Sequence, residues 1–237
     1  MERLRIKGFQ TLTLLDYPGR LAATVFTEGC NFRCPFCHNA SLVNGSDPGA
    51  CYAPEQILAH LEKRKGRLTG LCVSGGEPLL QSGLSDFLRH VKKLGYQVKL
   101  DTNGYFPDAL ESLLRNSLID TVAMDVKNGP SRYALTAGLP PEAEEEVLRR
   151  VGESIRVIRS AGADVEFRTT VVREFHRQED LLSLARWLAG DEPYYLQFFV
   201  DSGDVISPGL SAYSPEEMAE FCRLIRPFMP KAALRGM

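Results

Sequence analysis

The sequence predicts an α/β fold, a partial TIM-like (β/α)6 barrel with an N-terminal β extension. Six short runs rich in β-forming residues alternate with amphipathic stretches along the 237 residues, and neither a low-complexity linker nor a repeat of fixed period interrupts them. Because crossovers between parallel strands are right-handed and the connections are short, successive βα units curve into part of a barrel. We therefore expect a single domain over residues 1–237, with the extension in residues 1–20 and the partial barrel in residues 21–237.

The extension is indicated by Asp16-Tyr17-Pro18-Gly19, a turn sequence that predicts an antiparallel hairpin or a similar addition beside the barrel. The six predicted strands are residues 21–27, 71–74, 97–102, 119–126, 165–172 and 194–200. The predicted helices are residues 54–65, 84–94, 107–115, 142–161, 177–189 and 215–228. The first helix shows the pattern, because Pro54 stands in its first turn and Ile57, Leu58 and Leu61 recur at helical spacing on one face.

The composition argues against several classes of function. The 28 Lys and Arg residues nearly balance the 30 Asp and Glu residues, which favours a small molecule or a protein as partner over nucleic acid or an acidic membrane surface. No apolar run approaches the roughly 18 residues that span a bilayer, and the first residues lack a secretory apolar segment. These observations predict a cytoplasmic protein.

Six cysteines are present, and three of them lie within eight residues. In a reducing compartment such a cluster of thiols indicates metal binding or catalysis rather than disulfides. The clustered residues are Cys30, Cys34 and Cys37, which follow the first predicted strand at CxxxCxxC spacing. The scattered residues, expected to be ordinary core or surface positions, are Cys51, Cys72 and Cys222.

Three thiolates in so tight a turn can bind three irons of a cubane 4Fe–4S cluster and leave the fourth iron open. A reacting metal needs such an open position, and the amine and carboxylate of the methionine part of S-adenosylmethionine can chelate it. A structural zinc site made of the three cysteines and His38 uses the same types of ligand. The spacing alone leaves these two sites undecided.

A second motif, Ser74-Gly75-Gly76-Glu77-Pro78, directly follows the second predicted strand. Its glycines allow the backbone to approach a ligand closely and to offer carbonyl and amide groups as polar contacts. Taken alone, the motif favours an ordinary turn. Together, the two motifs favour the iron–sulfur site over zinc.

The cysteine motif and the Gly-Gly-Glu-Pro stretch resemble the radical S-adenosylmethionine (radical SAM) superfamily, with a likeness that extends over about residues 8–172. Further segments are similar to glycyl-radical-enzyme activating enzymes, and most similar to the activating proteins of anaerobic ribonucleoside-triphosphate reductase. These segments are Asp16-Tyr17-Pro18-Gly19, Thr27-Glu28-Gly29-Cys30-Asn31-Phe32-Arg33-Cys34, Cys37-His38-Asn39, Asp101-Thr102-Asn103-Gly104, Met124-Asp125-Val126-Lys127 and Phe167-Arg168-Thr169-Thr170-Val171-Val172. The resemblance implies a partial barrel of the radical SAM type.

The resemblance also implies roles for the matching residues. Cys30, Cys34 and Cys37 would hold one 4Fe–4S cluster, the backbone of Gly76 would contact the methionine amine of S-adenosylmethionine, and Phe36 would lie against its adenine. The other implied cofactor-binding residues are His38, Gly75, Glu77, Asp101, Asn103, Val126, Lys127 and Arg168. A monovalent cation beside the cofactor carboxylate would be held by Asp101, Thr102, Met124 and Asp125.

The predicted barrel supports this set, because the reactive residues of such folds sit at the carboxyl ends of the strands. For Asp125 and Lys127 a structural ion pair is the alternative. His38 is expected to form a hydrogen bond within its loop rather than to bind metal.

Two features depart from the family pattern. Activating enzymes of pyruvate formate-lyase contact the cofactor through a late histidine, which residues 194–199 lack, although Gln197 stands in that stretch. Many other activating enzymes carry a cysteine-rich insertion after the first motif. Only Cys51 lies between Cys37 and Cys72, so no auxiliary cluster is expected.

The resemblance implies an enzyme that reductively cleaves S-adenosylmethionine and generates a glycyl radical on a partner enzyme, with anaerobic ribonucleoside-triphosphate reductase as the expected partner. A flavodoxin- or ferredoxin-type protein would donate the electron. Two alternatives stay open, a radical SAM enzyme acting on a small molecule and a zinc-stapled binding module without catalysis. A protein substrate is favoured because only residues 44–50 and 129–140 are spare segments that could cover the barrel mouth, and a radical must be shielded from water.

Overall fold

In the computed structural model, which describes residues 4–45, 49, 51–201 and 203–236, eight strands form one sheet whose spatial order follows the chain. The strands are β1 (Ile6–Thr13), β2 (Ala22–Thr27), β3 (Gly70–Gly75), β4 (Gln97–Thr102), β5 (Thr121–Asp125), β6 (Asp164–Val171), β7 (Tyr194–Phe198) and β8 (Ala232–Arg235). β1 runs antiparallel to β2, and each later pair of neighbours is parallel. The predicted α/β fold with an N-terminal β extension is confirmed.

The parallel part of the sheet has seven strands, whereas the sequence predicts six. The additional strand, β8, is only four residues long and reads Ala-Ala-Leu-Arg, which is too short to show a period of two. It pairs with β7 from Tyr194 opposite Ala232 to Gln197 opposite Arg235. β1 and β8 form the two edges, so the sheet is a partial barrel.

Eight α-helices connect the described strands. They are α1 (Ala40–Asn44), α2 (Pro54–Arg64), α3 (Leu84–Lys93), α4 (Pro107–Arg115), α5 (Tyr133–Ala137), α6 (Glu144–Ser160), α7 (Gln178–Leu188) and α8 (Pro215–Ile225). The six long helices confirm the predicted ones, whereas α1 and α5 have five residues each and were not predicted. None of the helices within the described ranges is long and apolar enough to cross a membrane.

The two faces of the parallel strands differ in character, because alternate residues of a strand point to opposite faces. One face carries fully buried apolar side chains, such as Leu71 on β3 and Leu100 on β4, in one hydrophobic cluster with Phe87 and Leu88 of α3. Of the scattered cysteines, two are buried and one is exposed, as expected for core and surface positions; they are Cys72, Cys222 and Cys51, respectively.

The other face of the strands carries paired charges. Lys99 on β4 is only 2% exposed, and its ammonium binds Asp101 two residues further along and lies 3.9 Å from Glu166 on β6. Arg235 on β8 binds both oxygens of Glu166 at 2.8 Å. Arg168, also on β6, lies 3.5 Å from Asp101. The barrel interior therefore contains a network of buried ion pairs below the carboxyl ends of the strands.

Candidate active site

The carboxyl ends of the parallel strands surround a cavity of about 310 Å³. Most of the residues expected from the sequence line it: Cys30, Cys34, Phe36, Cys37, His38, Gly75, Gly76, Asp101, Thr102, Asn103, Asp125, Lys127 and Arg168. Three expected residues do not line it, because Glu77, Met124 and Val126 are fully buried behind its wall. Gln197 does line the cavity, although the sequence left its role open.

Cys30, Cys34 and Cys37, called the cluster cysteines below, lie in the loop between β2 and α1. The N–H of Cys37 donates to the Cys34 carbonyl at 3.0 Å, and the N–H of Phe32 donates to the Cys30 sulfur at 3.4 Å. Burial raises the pKa of the Cys30 thiol to about 12 and that of the Cys34 thiol to about 11. At neutral pH these two groups therefore become thiolates only when a cation such as iron replaces the proton.

The loop fits an iron–sulfur cluster better than a single ion. Among the described residues, no three His, Cys, Asp or Glu side chains lie close enough together to hold one metal ion. A cubane cluster does not need its ligands to meet at one ion, because each of its three cysteine ligands binds a separate iron. The buried Nδ2 atom of Asn31, next to Cys30 in the loop, has no hydrogen-bond partner in the described structure. A cluster with sulfur acceptor atoms would satisfy this donor.

The Gly-Gly-Glu-Pro segment after β3 packs directly on the cysteine loop. The N–H of Gly76 donates to the Thr27 carbonyl at 2.9 Å, and the N–H of Glu77 donates to the Gly29 carbonyl at 2.8 Å. A Cβ atom on Gly76 would lie 1.9 Å from that Gly29 oxygen. The glycine is therefore required by backbone packing beside Cys30, a reason that the sequence analysis did not give.

Glu77 is a buried acceptor for its own chain. Its carboxylate accepts hydrogen bonds from the Leu79 N–H at 3.0 Å, the Thr102 hydroxyl at 2.9 Å and the Asn103 N–H at 2.7 Å. Burial raises the pKa of Glu77 to about 7, and these three hydrogen bonds oppose the rise. The glutamate therefore joins the ends of β3 and β4, and its side chain does not line the cavity.

Four side chains form the charged wall of the cavity: Asp101, Asp125, Lys127 and Arg168. The Arg168 guanidinium lies 2.9 Å from Asp125, and the Lys127 ammonium lies 3.4 Å from the same carboxylate. Burial opposes ionisation of Asp125, but Arg168 and Lys127 outweigh it and lower its pKa to about 2. Burial also opposes the charge on Lys127, but Asp125 and Cys34 outweigh it and raise the pKa. The charged wall thus offers both signs to a zwitterionic ligand.

The implied site for a monovalent cation has a different arrangement here. Met124 is fully buried, and its side chain packs against Gly104 instead of lining the cavity. Arg168 lies between Asp101 and Asp125, within ion-pair distance of both carboxylates. A guanidinium therefore supplies the positive charge between two of the residues that were expected to bind the cation.

Phe36 provides an apolar part of the cavity wall and packs against Phe175 and His176, with ring centroids 5.8 and 6.0 Å away. His38 is exposed at the rim, where it contacts Phe199 edge-on at 5.6 Å; its ring forms no hydrogen bond with the described residues, in contrast to the expectation. The N–H and the carbonyl of Val126 both form hydrogen bonds with residues of β6, so Val126 holds its own segment against that strand.

Several lining residues were not assigned from the sequence, among them Asn39, Ser74, Thr170 and Phe198. The Asn39 amide donates to the Gly75 carbonyl at 3.0 Å, and the Ser74 hydroxyl donates to Asp101 at 3.1 Å. A signal for Thr170 was available, because it follows Arg168 by two residues on β6 and therefore shares its face. Asn39 directly follows the Cys37-His38 pair.

Comparison with known proteins decides the family. The family model described as the Radical SAM superfamily matches residues 24–188, more than half of the chain. The chain belongs to the radical SAM superfamily. Membership implies a 4Fe–4S cluster and S-adenosylmethionine as cofactors, and it sets aside the alternative of a zinc-stapled module without catalysis.

Individual relatives show how far the likeness of this radical SAM protein extends. A Methanocaldococcus jannaschii protein named as a glycyl-radical enzyme activating enzyme is 29% identical over 97% of this chain and 95% of its own length. The pyruvate formate-lyase-activating enzyme of Clostridium pasteurianum is 34% identical over 52% of each chain, so the match spans about half of that relative. A radical SAM methyltransferase from Sphaerobacter thermophilus has the same fold, with a TM-score of 0.68 and 19% identity over 92% of this chain and 67% of that chain.

Proposed function

We propose that this radical SAM enzyme installs a radical on a backbone glycine of a partner protein, and that the partner is an anaerobic ribonucleoside-triphosphate reductase. The observation that carries the proposal is the nearly end-to-end match with a relative named as a glycyl-radical enzyme activating enzyme. A flavodoxin- or ferredoxin-type protein would reduce the cluster. The setting is the cytoplasm, because a reducing compartment keeps the cysteines free to bind iron.

When bound, the cluster and S-adenosylmethionine supply one-electron cleavage of the sulfonium, which yields methionine and a 5′-deoxyadenosyl radical. The cluster cysteines would hold three irons as thiolates. Lys127 and Arg168 face the cavity as cations that can bind the carboxylate of the methionine part, while the Gly76 backbone orients its amine. Phe36 excludes water beside the adenine. The implied monovalent cation is not part of this proposal, because Arg168 supplies a positive charge at its place.

A partner protein is also supported by the segments near the cavity mouth. Segment 129–140 contains α5 and is tied to the cysteine loop, because the N–H of Arg33 donates to the Ala137 carbonyl at 2.9 Å. It therefore supports the loop instead of forming a free lid. Of segment 44–50, residues 46–48 and 50 lie outside the described residues. A glycine loop of the partner entering the cavity would provide both the hydrogen atom and the cover that a radical requires.

The test is to incubate the cluster-loaded, reduced enzyme with S-adenosylmethionine and an anaerobic ribonucleoside-triphosphate reductase from the same organism. We expect a doublet glycyl radical signal in electron paramagnetic resonance and stoichiometric 5′-deoxyadenosine. Cys34→Ala should give neither product, and Cys72→Ala, which changes a buried cysteine outside the loop, should give both. If no protein radical forms while deuterium from a small metabolite enters 5′-deoxyadenosine, the enzyme acts on a small molecule instead.

A further inference from the structure

Two carboxamide side chains, those of Asn31 and Asn103, meet beside Cys30. The Nδ2 atom of Asn103 donates to Oδ1 of Asn31 at 2.9 Å and lies 3.7 Å from the Cys30 sulfur, within hydrogen-bond distance of that acceptor. Asn103 is only 6% exposed. Nδ2 of Asn31 is buried and has no hydrogen-bond partner among the described residues. A buried donor without an acceptor costs free energy, so a bound group that offers an acceptor to Asn31 would be favoured.

The hydrogen-bond network fixes which way each carboxamide points. The N–H of Tyr105 donates to Oδ1 of Asn103 at 3.0 Å, so the Nδ2 end of Asn103 must face Asn31 and Cys30. Asn31 then has to present Oδ1 to that donor, which leaves its own Nδ2 as the free end. A flipped Asn31 would set two donors against each other.

The pair is held on a rigid base. The backbone N–H of Asn103 donates to the buried Glu77 carboxylate at 2.7 Å, and the neighbouring Thr102 hydroxyl donates to the same carboxylate at 2.9 Å. On the other side, the Cys30 sulfur also accepts the N–H of Phe32 at 3.4 Å. One backbone donor and one carboxamide donor therefore converge on the first cluster cysteine.

We propose that Asn31 and Asn103 form a donor pair directed at Cys30 and at the cluster sulfur beside it, and that this pair raises the reduction potential of the cluster. Reduction adds one negative charge to the cluster, so N–H groups aimed at its sulfurs stabilise the reduced state more than the oxidised state. The Nδ2 atom of Asn31 would gain its acceptor when the cluster binds. The inference rests on the superfamily cofactor and not on the identity of the partner. A failure to form a glycyl radical would therefore not contradict it.

The first test is a potentiometric titration of the cluster, followed by electron paramagnetic resonance, in Asn31→Leu, Asn103→Leu and the double variant. We expect each single variant to keep the cluster and to hold about tenfold less reduced cluster at a fixed potential, which is a downward shift of about 59 mV for a one-electron couple. The double variant should shift by less than the sum, because Asn103 orients Asn31. Asn128→Leu is the control, since that buried carboxamide bonds to Thr136 and Phe175 instead.

The second test begins with the unaltered enzyme, so its main result does not depend on any variant folding. With nitrogen-15 placed only in asparagine side-chain amides, the reduced cluster of the unaltered enzyme should show nitrogen-15 hyperfine coupling. Asn128→Leu should retain this coupling, and the double variant should lose it. Unchanged potentials in both single variants with the cluster present, or no such coupling in the unaltered enzyme, would overturn the proposal. So would an equal potential shift in the Asn128→Leu control.

Discussion

Replacing Gly76 with Ala tests whether the Gly-Gly-Glu-Pro segment acts through its own backbone packing. A Cβ atom at this position would lie 1.9 Å from the carbonyl oxygen of Gly29, whereas real Cβ contacts stay above 3.0 Å. The two backbones must therefore separate by at least about 1.1 Å. Neither side is a flexible side chain, because both are main chain held by the hydrogen bond from Glu77 N–H to the Gly29 carbonyl.

The displacement falls on the residue that precedes Cys30. Metal ligands must keep their distances within about 0.2 Å, and a shift several times larger at the neighbouring peptide cannot be absorbed without moving the sulfur. Overpacking of this kind typically costs about 1–3 kcal/mol. We therefore expect Gly76→Ala to lower the iron content as well as the affinity for S-adenosylmethionine.

The assay is iron and sulfide content after anaerobic reconstitution, together with cofactor titration of the reduced cluster. Gly152→Ala is a matched control, because it makes the same chemical change within α6, where the new Cβ would meet only Trp187 at 4.0 Å. Alanine in a helix interior should stabilise that variant by up to about 1 kcal/mol. Full iron content and unaltered cofactor affinity in Gly76→Ala would refute the reasoning.

Three further predictions concern the site and the barrel interior. Cys34→Ala should lose iron and 5′-deoxyadenosine formation together, while Cys72→Ala keeps both; retention of both by Cys34→Ala would exclude it as a ligand. Lys127→Ala should keep the cluster but bind S-adenosylmethionine at least about tenfold more weakly, since charged hydrogen bonds are worth roughly 1.5–3 kcal/mol; an unchanged affinity would leave Lys127 only its ion pair with Asp125. Lys99→Met should lower the free energy of unfolding in urea by about 1.5–3 kcal/mol, because Asp101 loses its hydrogen bond to the buried ammonium but keeps its contacts with Arg168 and Ser74; a loss below about 0.5 kcal/mol would contradict this.

The sequence predicts the fold well where elements are long enough to show a period. The helix at Pro54–Arg64 and the strand at Gln97–Thr102 lie within one residue of their predicted bounds, because apolar residues recur at helical or strand spacing there. The strand at Ala232–Arg235 and the helices at Ala40–Asn44 and Tyr133–Ala137 have only four or five residues. Elements of that length form because neighbours hold them, and such contacts leave no local pattern.

The sequence predicts that the site lies at the carboxyl ends of the strands. It does not predict which side chains enter the cavity. The resemblance assigns Met124 and Asp125 to the monovalent cation and Val126 to the cofactor, yet only Asp125 lines the cavity. The alternation of a strand accounts for this outcome, since a residue and its two neighbours cannot point to the same face. Glu77 lies beyond the end of its strand, where no period applies. Its inward turn depends on Thr102 and Asn103, which are distant in the sequence.

The two motifs that identify the family are parts of one packed unit, and this changes how variants of either should be interpreted. The N–H groups of Gly76 and Glu77 donate to backbone carbonyls in the segment that leads to Cys30, and the Glu77 carboxylate fixes Asn103, whose amide reaches the Cys30 sulfur. A change in the Gly-Gly-Glu-Pro segment can therefore affect the cluster in two ways, through the backbone before Cys30 and through the Asn103 side chain. Weaker cofactor binding in such a variant shows a direct contact with S-adenosylmethionine only when the iron content and the reduction potential of the cluster are unchanged.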